Sequence, residues 1–520
     1  MAYRAQSLTS NLIGWAAAGL LAVLTVGTLT AVALKGIGSY DLTAYDFSVL
    51  RFTVLQSLVS ATLSVGFAIP LARAISRQRF RGRNVLVTLL GAPFILPTIV
   101  AILGLTAIFG RNGILNDGLS LFGIAEIDIY GFHGVVLAHV FFNLPLATRL
   151  ILLEWQSIPA ERFRLAASLS FSNIDIIRHI ERPMLARTIP GIFALIFLVC
   201  VTSFAVALTL GGGPRSTTLE MAIYQAFRFD FNLSRAASLA GLQFLVCAFA
   251  VLFVLRFPVT TFGQSQLDRS PQQAWPTTTN AVDSAWIFIA SVFLILPMAL
   301  VAINGWSGLA ELDVVVLLAA LRSVWVATAS IVIALSLTLA LSTSIVRSGQ
   351  FNAGLLEMLG YFVVAASPMV IGTGLFILLF PVTNPVDWAM PITALINGVM
   401  ALPFCLRIIL PQLKMVEVNF GRLSDSLDMT GWNRLRLITL PRLRPQLGFS
   451  AGLTGAFSMG DLGVVALFSD PNATTLPLTI YRLMASYKMT QAHAAAALLL
   501  LMSIGIFLVA DRWGRRHAID

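Results

Sequence analysis

The sequence predicts an all-α, polytopic membrane protein, and three observations lead there. Of 520 residues, 57% are hydrophobic and only 11% are charged, whereas a soluble chain carries roughly a quarter charged residues. The mean hydropathy is +0.85. Apolar runs near the ~20 residues needed to cross a ~30 Å hydrocarbon core recur along the whole chain.

Twelve such runs can be marked: 12–34, 51–72, 84–109, 132–153, 187–210 and 237–256, then 285–304, 321–345, 354–380, 390–410, 447–468 and 490–510. The first is longer than the roughly 7–15-residue apolar core of a signal peptide and is expected to be a retained helix. The basic residues set the orientation. The connection after the second run holds Arg73, Arg77, Arg79, Arg81 and Arg83, and those after the fourth and tenth are equally basic. The C-terminus adds Arg512, Arg515 and Arg516. All these connections fall on one side if both termini are cytoplasmic. The net charge of +10 therefore reads as positive-inside loops on a lipid bilayer, not as a nucleic-acid surface.

Cys200, Cys247 and Cys405 lie in apolar runs without metal-ligand or disulfide spacing and read as packing residues. His139 and Glu154 read as helix-interface or membrane-boundary residues.

A Gln/Thr/Ser/Pro-rich stretch, Thr260 to Thr279, divides the chain nearly in half and has linker composition. The halves align. Arg149-Leu150-Ile151-Leu152 matches Arg407-Ile408-Ile409-Leu410 at an offset of 258, and Pro183 matches Pro441 and Thr217 matches Thr475 at the same offset. Arg51 and Pro97 match Arg322 and Pro368 at an offset of 271. The expected organisation is two parallel repeats of six spans. A first helix and outer loop (1–50) precede a first transmembrane domain (51–256), followed by a cytoplasmic linker (257–284). A seventh helix and loop (285–320), a second transmembrane domain (321–510) and a tail (511–520) complete the chain. Internal repetition of this kind is common in transporters, with the substrate route along the repeat interface.

Two basic connections, 154–186 and 412–446, are amphipathic and unusually long. Each holds a short helical stretch, Ile158–Leu169 and Val416–Leu427, then a polar break and a proline entering the next span. These segments resemble the EAA loops of ABC importer permeases, whose pattern is Glu-Ala-Ala, three residues, Gly, nine residues, Ile, one residue, Leu-Pro. The first copy places Arg164-Leu165-Ala166 at Glu-Ala-Ala, Ser170 at the glycine, Ile180 at the isoleucine and Pro183 at the proline. The second places Arg422-Leu423-Ser424, Asp428, Ile438 and Leu440-Pro441. Both glutamates are arginine here and both glycines are replaced. The resemblance implies the type I importer permease fold and a coupling helix in each half, docking on a separate ATP-binding subunit, itself a dimer. The small third residue, Ala166 or Ser424, would permit close approach to that subunit. Gly431 is expected to share the turn-forming role of Asp428.

This chain has only Lys35, Lys414 and Lys488, none in a phosphate-binding GxxxxGK[ST] context. ATP and Mg²⁺ are therefore expected on the partner, with no cofactor and no enzymatic step on this chain. Ser203-Phe204, the run from Leu208 to Pro214, Thr217 to Ala226, and Gly460-Asp461 to Phe468 are similar to the thiamine ABC transporter permeases. That resemblance implies a periplasmic thiamine-binding protein as partner, with its docking elements at 211–235 and 469–489. It implies import of thiamine and its phosphate esters across the bacterial inner membrane by alternating access. Fused iron(III) permeases are the nearest alternative, and an ion-gradient-driven carrier a more distant one.

Asp461 is an acid in or near the eleventh run, where a charge costs about 2.5–3.5 kcal/mol on insertion scales. With its counterpart Ser203 it is the candidate translocation-pathway pair. The competing reading is a structural acid bound to neighbouring backbone.

Overall fold

A computed structural model describes residues 8–36, 42–78, 80–83, 86–87, 90, 96–254, 281–306, 308–363, 366–429, 431–468 and 474–515. Most of the expected linker, the start of the third run, residues 469–473 and the end of the tail lie outside them. The described residues form nineteen helices, besides single 3-10 turns at Pro214–Ser216, Leu309–Glu311 and Pro385–Trp388. The first half comprises α1 (Leu12–Gly36), α2 (Ala44–Arg77), α3 (Thr98–Phe109), α4 (Ile114–Leu121), α5 (Phe132–Ser157), α6 (Ala160–Ser168), α7 (Asn173–Val201), α8 (Phe204–Leu210), α9 (Leu219–Arg228) and α10 (Leu233–Val254). The second comprises α11 (Ala281–Trp306), α12 (Val314–Arg347), α13 (Gln350–Phe362), α14 (Pro368–Leu379), α15 (Ala389–Ser426), α16 (431–459), α17 (Gly463–Phe468), α18 (Leu476–Ala485) and α19 (Met489–Arg515).

Ten helices among the described residues are long and apolar enough to cross a membrane, two fewer than the runs marked in the sequence. The ninth run is interrupted between α13 and α14, where Ser367 accepts a hydrogen bond from Val370 N and Pro368 opens the new helix. Proline is favoured in a first turn because its missing N–H is not needed there. The eleventh run breaks at Gly460 into α16 and the short α17, and α16 carries Arg442, Arg444 and Gln446 just before that run begins. The second connection is also not a separate helix. α15 runs unbroken for 38 residues through Pro411, while its counterpart is cut at Pro159, with Ile158 extended as a residue before proline prefers.

Several helix pairs have equal bounds at fixed offsets. α2 and α12 are both 34 residues long, and α3 and α14 both 12, at an offset of 270. This register differs by one from the 271 read from Arg51 and Pro97. Arg51 therefore stands opposite Leu321, because arginine identity outweighed helix phase in an apolar alignment. Likewise α9 and α18 start after Thr218 and Thr475, so Thr475 matches Thr218, not Thr217. The N-terminal amides of both helices are held from outside: Leu219 N donates to Thr53 Oγ1 and Leu476 N to Ser323 Oγ.

α2, α5, α7 and α10 form one bundle, and α12, α15, α16 and α19 another. The first helix of each half packs across the divide. α1 lies on α12 and α14, while α11 lies on α2 and α3 as well as on α19. Two glycines admit these crossings: a Cβ at Gly104 would lie 2.5 Å from Pro297 O, and one at Gly374 the same distance from Thr28 O. Small residues at helix crossings are how apolar helices associate when lipid is as apolar as their side chains. Hydroxyls add interhelical bonds of about 0.6 kcal/mol each, as where Ser330 on α12 meets Ser458 on α16 at 2.9 Å and donates to Ala394 O on α15. The largest continuous core joins the halves, with Phe204 and Ile223 from the first and Met369 and Phe468 from the second. Cys200, Cys247 and Cys405 are all buried and unbridged. His139 faces Ser60 within the α2–α5 contact, 3.4 Å from its hydroxyl.

Candidate functional site

At the arginine-rich end, each of the two long connections closes a helix in the same way. α6 ends with Ser170 N donating to Ala167 O and Phe171 N to Ala166 O. α15 ends with Asp428 N donating to Asp425 O and Met429 N to Ser424 O. This double bond pattern places the residue after the C-cap in the left-handed region, and Ser170 has φ 53° and Asp428 φ 52°. Glycine takes that conformation without strain, so this position carries a small steric cost in both copies. Gly431 also has a positive φ of 54° but sits at the start of the next helix, so Asp428 makes the turn itself.

The third position of the motif turns inward. Ala166 is 3% exposed and Ser424 is fully buried, and Ser424 Oγ donates to Met429 O. In this chain these small residues let the turn close on itself. The outward side chains are Leu165 and Leu169 in the first copy and Leu423 and Leu427 in the second, each more than half exposed. Arg164 and Arg422 are exposed beside them. Each copy thus presents two leucines, four residues apart on one helical face, next to one arginine.

Both chains of residues then wind through a π turn, Ile177–Glu181 and Leu435–Thr439, before Pro183 and Pro441. A proline inside an α-helix clashes with the carbonyl four residues earlier. The wider turn relieves that clash, with Arg182 N donating to Ile177 O and Leu440 N to Leu435 O. Pro183 and Pro441 themselves are exposed.

The copies are anchored differently, by residues that motif spacing missed. In the second, Arg434 is nearly buried and bonds Glu417 at 2.6 Å and Asp425 at 2.8 Å. In the first, the corresponding Ile176 packs against an apolar cluster that includes Phe163. Glu181 there is held by Arg73 Nε at 2.9 Å. Neither ion pair has a local sequence signature, since the partners are separated by breaks or by 108 residues.

Ser203 and Asp461 sit at matching helix breaks, before α8 and α17. The breaks adjoin: a Cβ at Gly463 would lie 3.5 Å from the Phe204 ring, and one at Gly460 3.0 Å from Pro97 Cα. The Asp461 carboxylate accepts from Val464 N and Val465 N, both at 3.4 Å, so its oxygens serve the first turn of α17. These two residues stand at the seam between the halves, just beyond the opposite ends of α7 and α16 from the paired loops. The Gly211–Gly213 run forms a turn, with φ 73° and 131° at Gly212 and Gly213, and Gly131 N donates to Leu210 O beside it.

A two-halved bundle with interrupted helices at its seam and matched amphipathic loops at one end defines a multi-pass membrane permease. No family model matches the chain, but full-length relatives do. It is 36% identical to the thiamine transport system permease protein ThiP of Brucella abortus (strain 2308), over 98% of this chain and 96% of that one. Identity is 36% to the protein of the same name from Escherichia coli (strain K12), over 89% and 88%. To that of Haemophilus influenzae it is 34%, over 86% and 85%. The chain belongs to this family of thiamine transport system permeases.

Proposed function

We propose that the chain is the fused membrane subunit of an ATP-driven importer that moves thiamine and its phosphate esters from periplasm to cytoplasm. The observation that carries this is the pair of outward leucine faces, Leu165 with Leu169 and Leu423 with Leu427, presented by identically built turns. An apolar pair on a water-facing helix end is unfavourable by about 25 cal/mol per Å² unless a partner covers it. Two copies fit a dimeric ATP-binding subunit with one cleft for each. The relatives' names supply the cargo and favour thiamine over iron(III).

In this reading the protein lies in the bacterial inner membrane with both termini and the arginine-rich loops in the cytoplasm. A loaded thiamine-binding protein docks on the far side, at 211–235 and 469–489, of which 469–473 lie outside the described residues. ATP, with Mg²⁺, binds to the partner, and closure of its dimer pulls both loops and switches the halves between inward- and outward-facing arrangements. The arginines at the two glutamate positions supply cation contacts where the common motif supplies carboxylates. An ion-gradient carrier would need neither partner.

The test is reconstitution with the binding protein and the ATPase. Thiamine uptake should require ATP, and cysteines at Leu165 and Leu423 should cross-link to the ATPase. Uptake without the ATPase, or driven by a proton or sodium gradient alone, would overturn the reading.

A further inference from the structure

Glu220 is a carboxylate that nothing so far has used. It stands in the first turn of α9, a ten-residue helix too short to cross a membrane, and is 1% exposed. Gln243 Nε2 on α10 donates to Oε1 at 3.1 Å, while Oε2 is buried without a hydrogen-bond partner. Gln243 Oε1 is unpartnered too. An ionisable group left half-satisfied in an apolar setting is costly, and where it persists it marks function more often than packing.

Its surroundings narrow the function. Tyr224 and Phe227 follow at i+4 and i+7 on the same helical stripe. Tyr224 packs edge-on against Phe204 of α8 at 5.2 Å, beside the Ser203 break, and Phe227 packs against Phe376 of α14 at 4.4 Å. Phe376 in turn touches Phe468 of α17. α9 therefore carries one carboxyl and a row of rings along the contact between the halves, where α14 and α17 begin after breaks. The corresponding position in α18 is Pro477, so only the first half's member of this matched pair is acidic; the second half's acid at the seam, Asp461, is engaged with Val464 N and Val465 N. Ser367, which caps α14, lies beside the carboxyl from the opposite half.

We propose that Glu220, with the rings of Tyr224 and Phe227, is the contact in the translocation route for a flat organic cation, formed when the halves part along this seam. The proposal rests on the importer reading above and adds the site and the charge of its cargo. Aromatic faces attract cations, and a carboxylate supplies the opposite charge, so the pair suits a cationic heteroaromatic ring and disfavours a neutral one. With the seam closed, burial pushes the Glu220 carboxyl up to about 8, outweighing the Ser367 hydroxyl and the Gln243 amide, which favour the anion. Admission of water on opening returns it to the ordinary carboxylate range, so the negative charge appears with the open route.

The test uses the reconstituted complex with binding protein and ATPase. It compares wild type, Glu220→Gln and Glu220→Asp, with two probes: thiamine and its neutral isostere in which thiophene replaces the thiazolium ring. Uptake of each probe is divided by uptake in wild type, so that the binding protein's own preference cancels. Glu220→Gln should lower thiamine uptake about tenfold or more, the scale of one desolvated charge contact, and leave the isostere and binding-protein-stimulated ATP hydrolysis within about twofold. Glu220→Asp should restore most thiamine uptake. Equal loss of both probes, loss of ATP hydrolysis in step with uptake, or unchanged thiamine uptake in Glu220→Gln would overturn the proposal. A wild-type complex that moves no thiamine would instead defeat the importer reading.

Discussion

Replacing Arg434 by alanine tests how the second loop is held. Its side chain is 10% exposed, Glu417 33% and Asp425 72%. The bond to Glu417 is shielded and charge-assisted, a class worth about 1.5–3 kcal/mol. The bond to Asp425 is exposed to water and adds at most about 1 kcal/mol. Arg347, at the end of α12, lies in the field of the same carboxylates and takes over part of the pairing, which sets the net cost near 2 kcal/mol. That energy is local to the turn between α15 and α16, so hydrogen exchange of the amides from Leu427 to Leu435 should accelerate roughly 30-fold. High salt should shrink the difference between variant and wild type by weakening the native pairs. Ile176→Ala in the first loop should loosen its own turn without salt dependence, because it removes apolar contact alone. Exchange within twofold of wild type in Arg434→Ala, or equal loosening of both loops, would refute the assignment of Arg434 as the anchor.

Other outcomes follow from the same geometry. Ser170→Gly and Asp428→Gly should each raise thermal stability in detergent, by about 0.5–1 kcal/mol, since glycine removes the left-handed strain; Ser170→Val should lower it. Leu165→Asp with Leu423→Asp should leave membrane abundance intact yet abolish ATPase co-purification, and retained binding would show that these faces do not dock. Gly104→Leu or Gly374→Leu should sharply reduce folded protein on size-exclusion chromatography, because each side chain meets a carbonyl at 2.5 Å at its first atom, and overpacking costs about 1–3 kcal/mol or more. Asp461→Asn keeps an acceptor for Val464 N and Val465 N, so thiamine uptake should stay within about threefold if capping is its role; a complete loss would return it to the pathway.

The membrane class and the paired loops were legible in the sequence because both rest on local patterns. Apolar run length gives the spans, and the Pro183/Pro441 spacing marks the turns. Helix breaks inside the apolar runs were not legible, because hydropathy hides them: Ser367-Pro368 and Gly460 interrupt runs that remain apolar on either side. The inward orientation of Ala166 and Ser424 was not legible, because a small side chain suits a partner's surface and a tight turn equally well. Arg434, Glu181 and Glu220 were missed for a different reason. Their partners come from other helices, and no spacing along the chain encodes a contact made across a bundle.

The crossing of the first helices has a consequence for biosynthesis. α1 leaves the ribosome long before α12 and α14, the helices it rests on, which come roughly 300 residues later; at ~5–20 residues per second the wait is of the order of a quarter-minute to a minute. During that interval α1 has lipid and the first turns of α10 for company, while α2, α5 and α7 can already assemble. The N-terminal segment is thus the earliest made and among the last to find its place, and completion of the nascent second half is what finally clasps it.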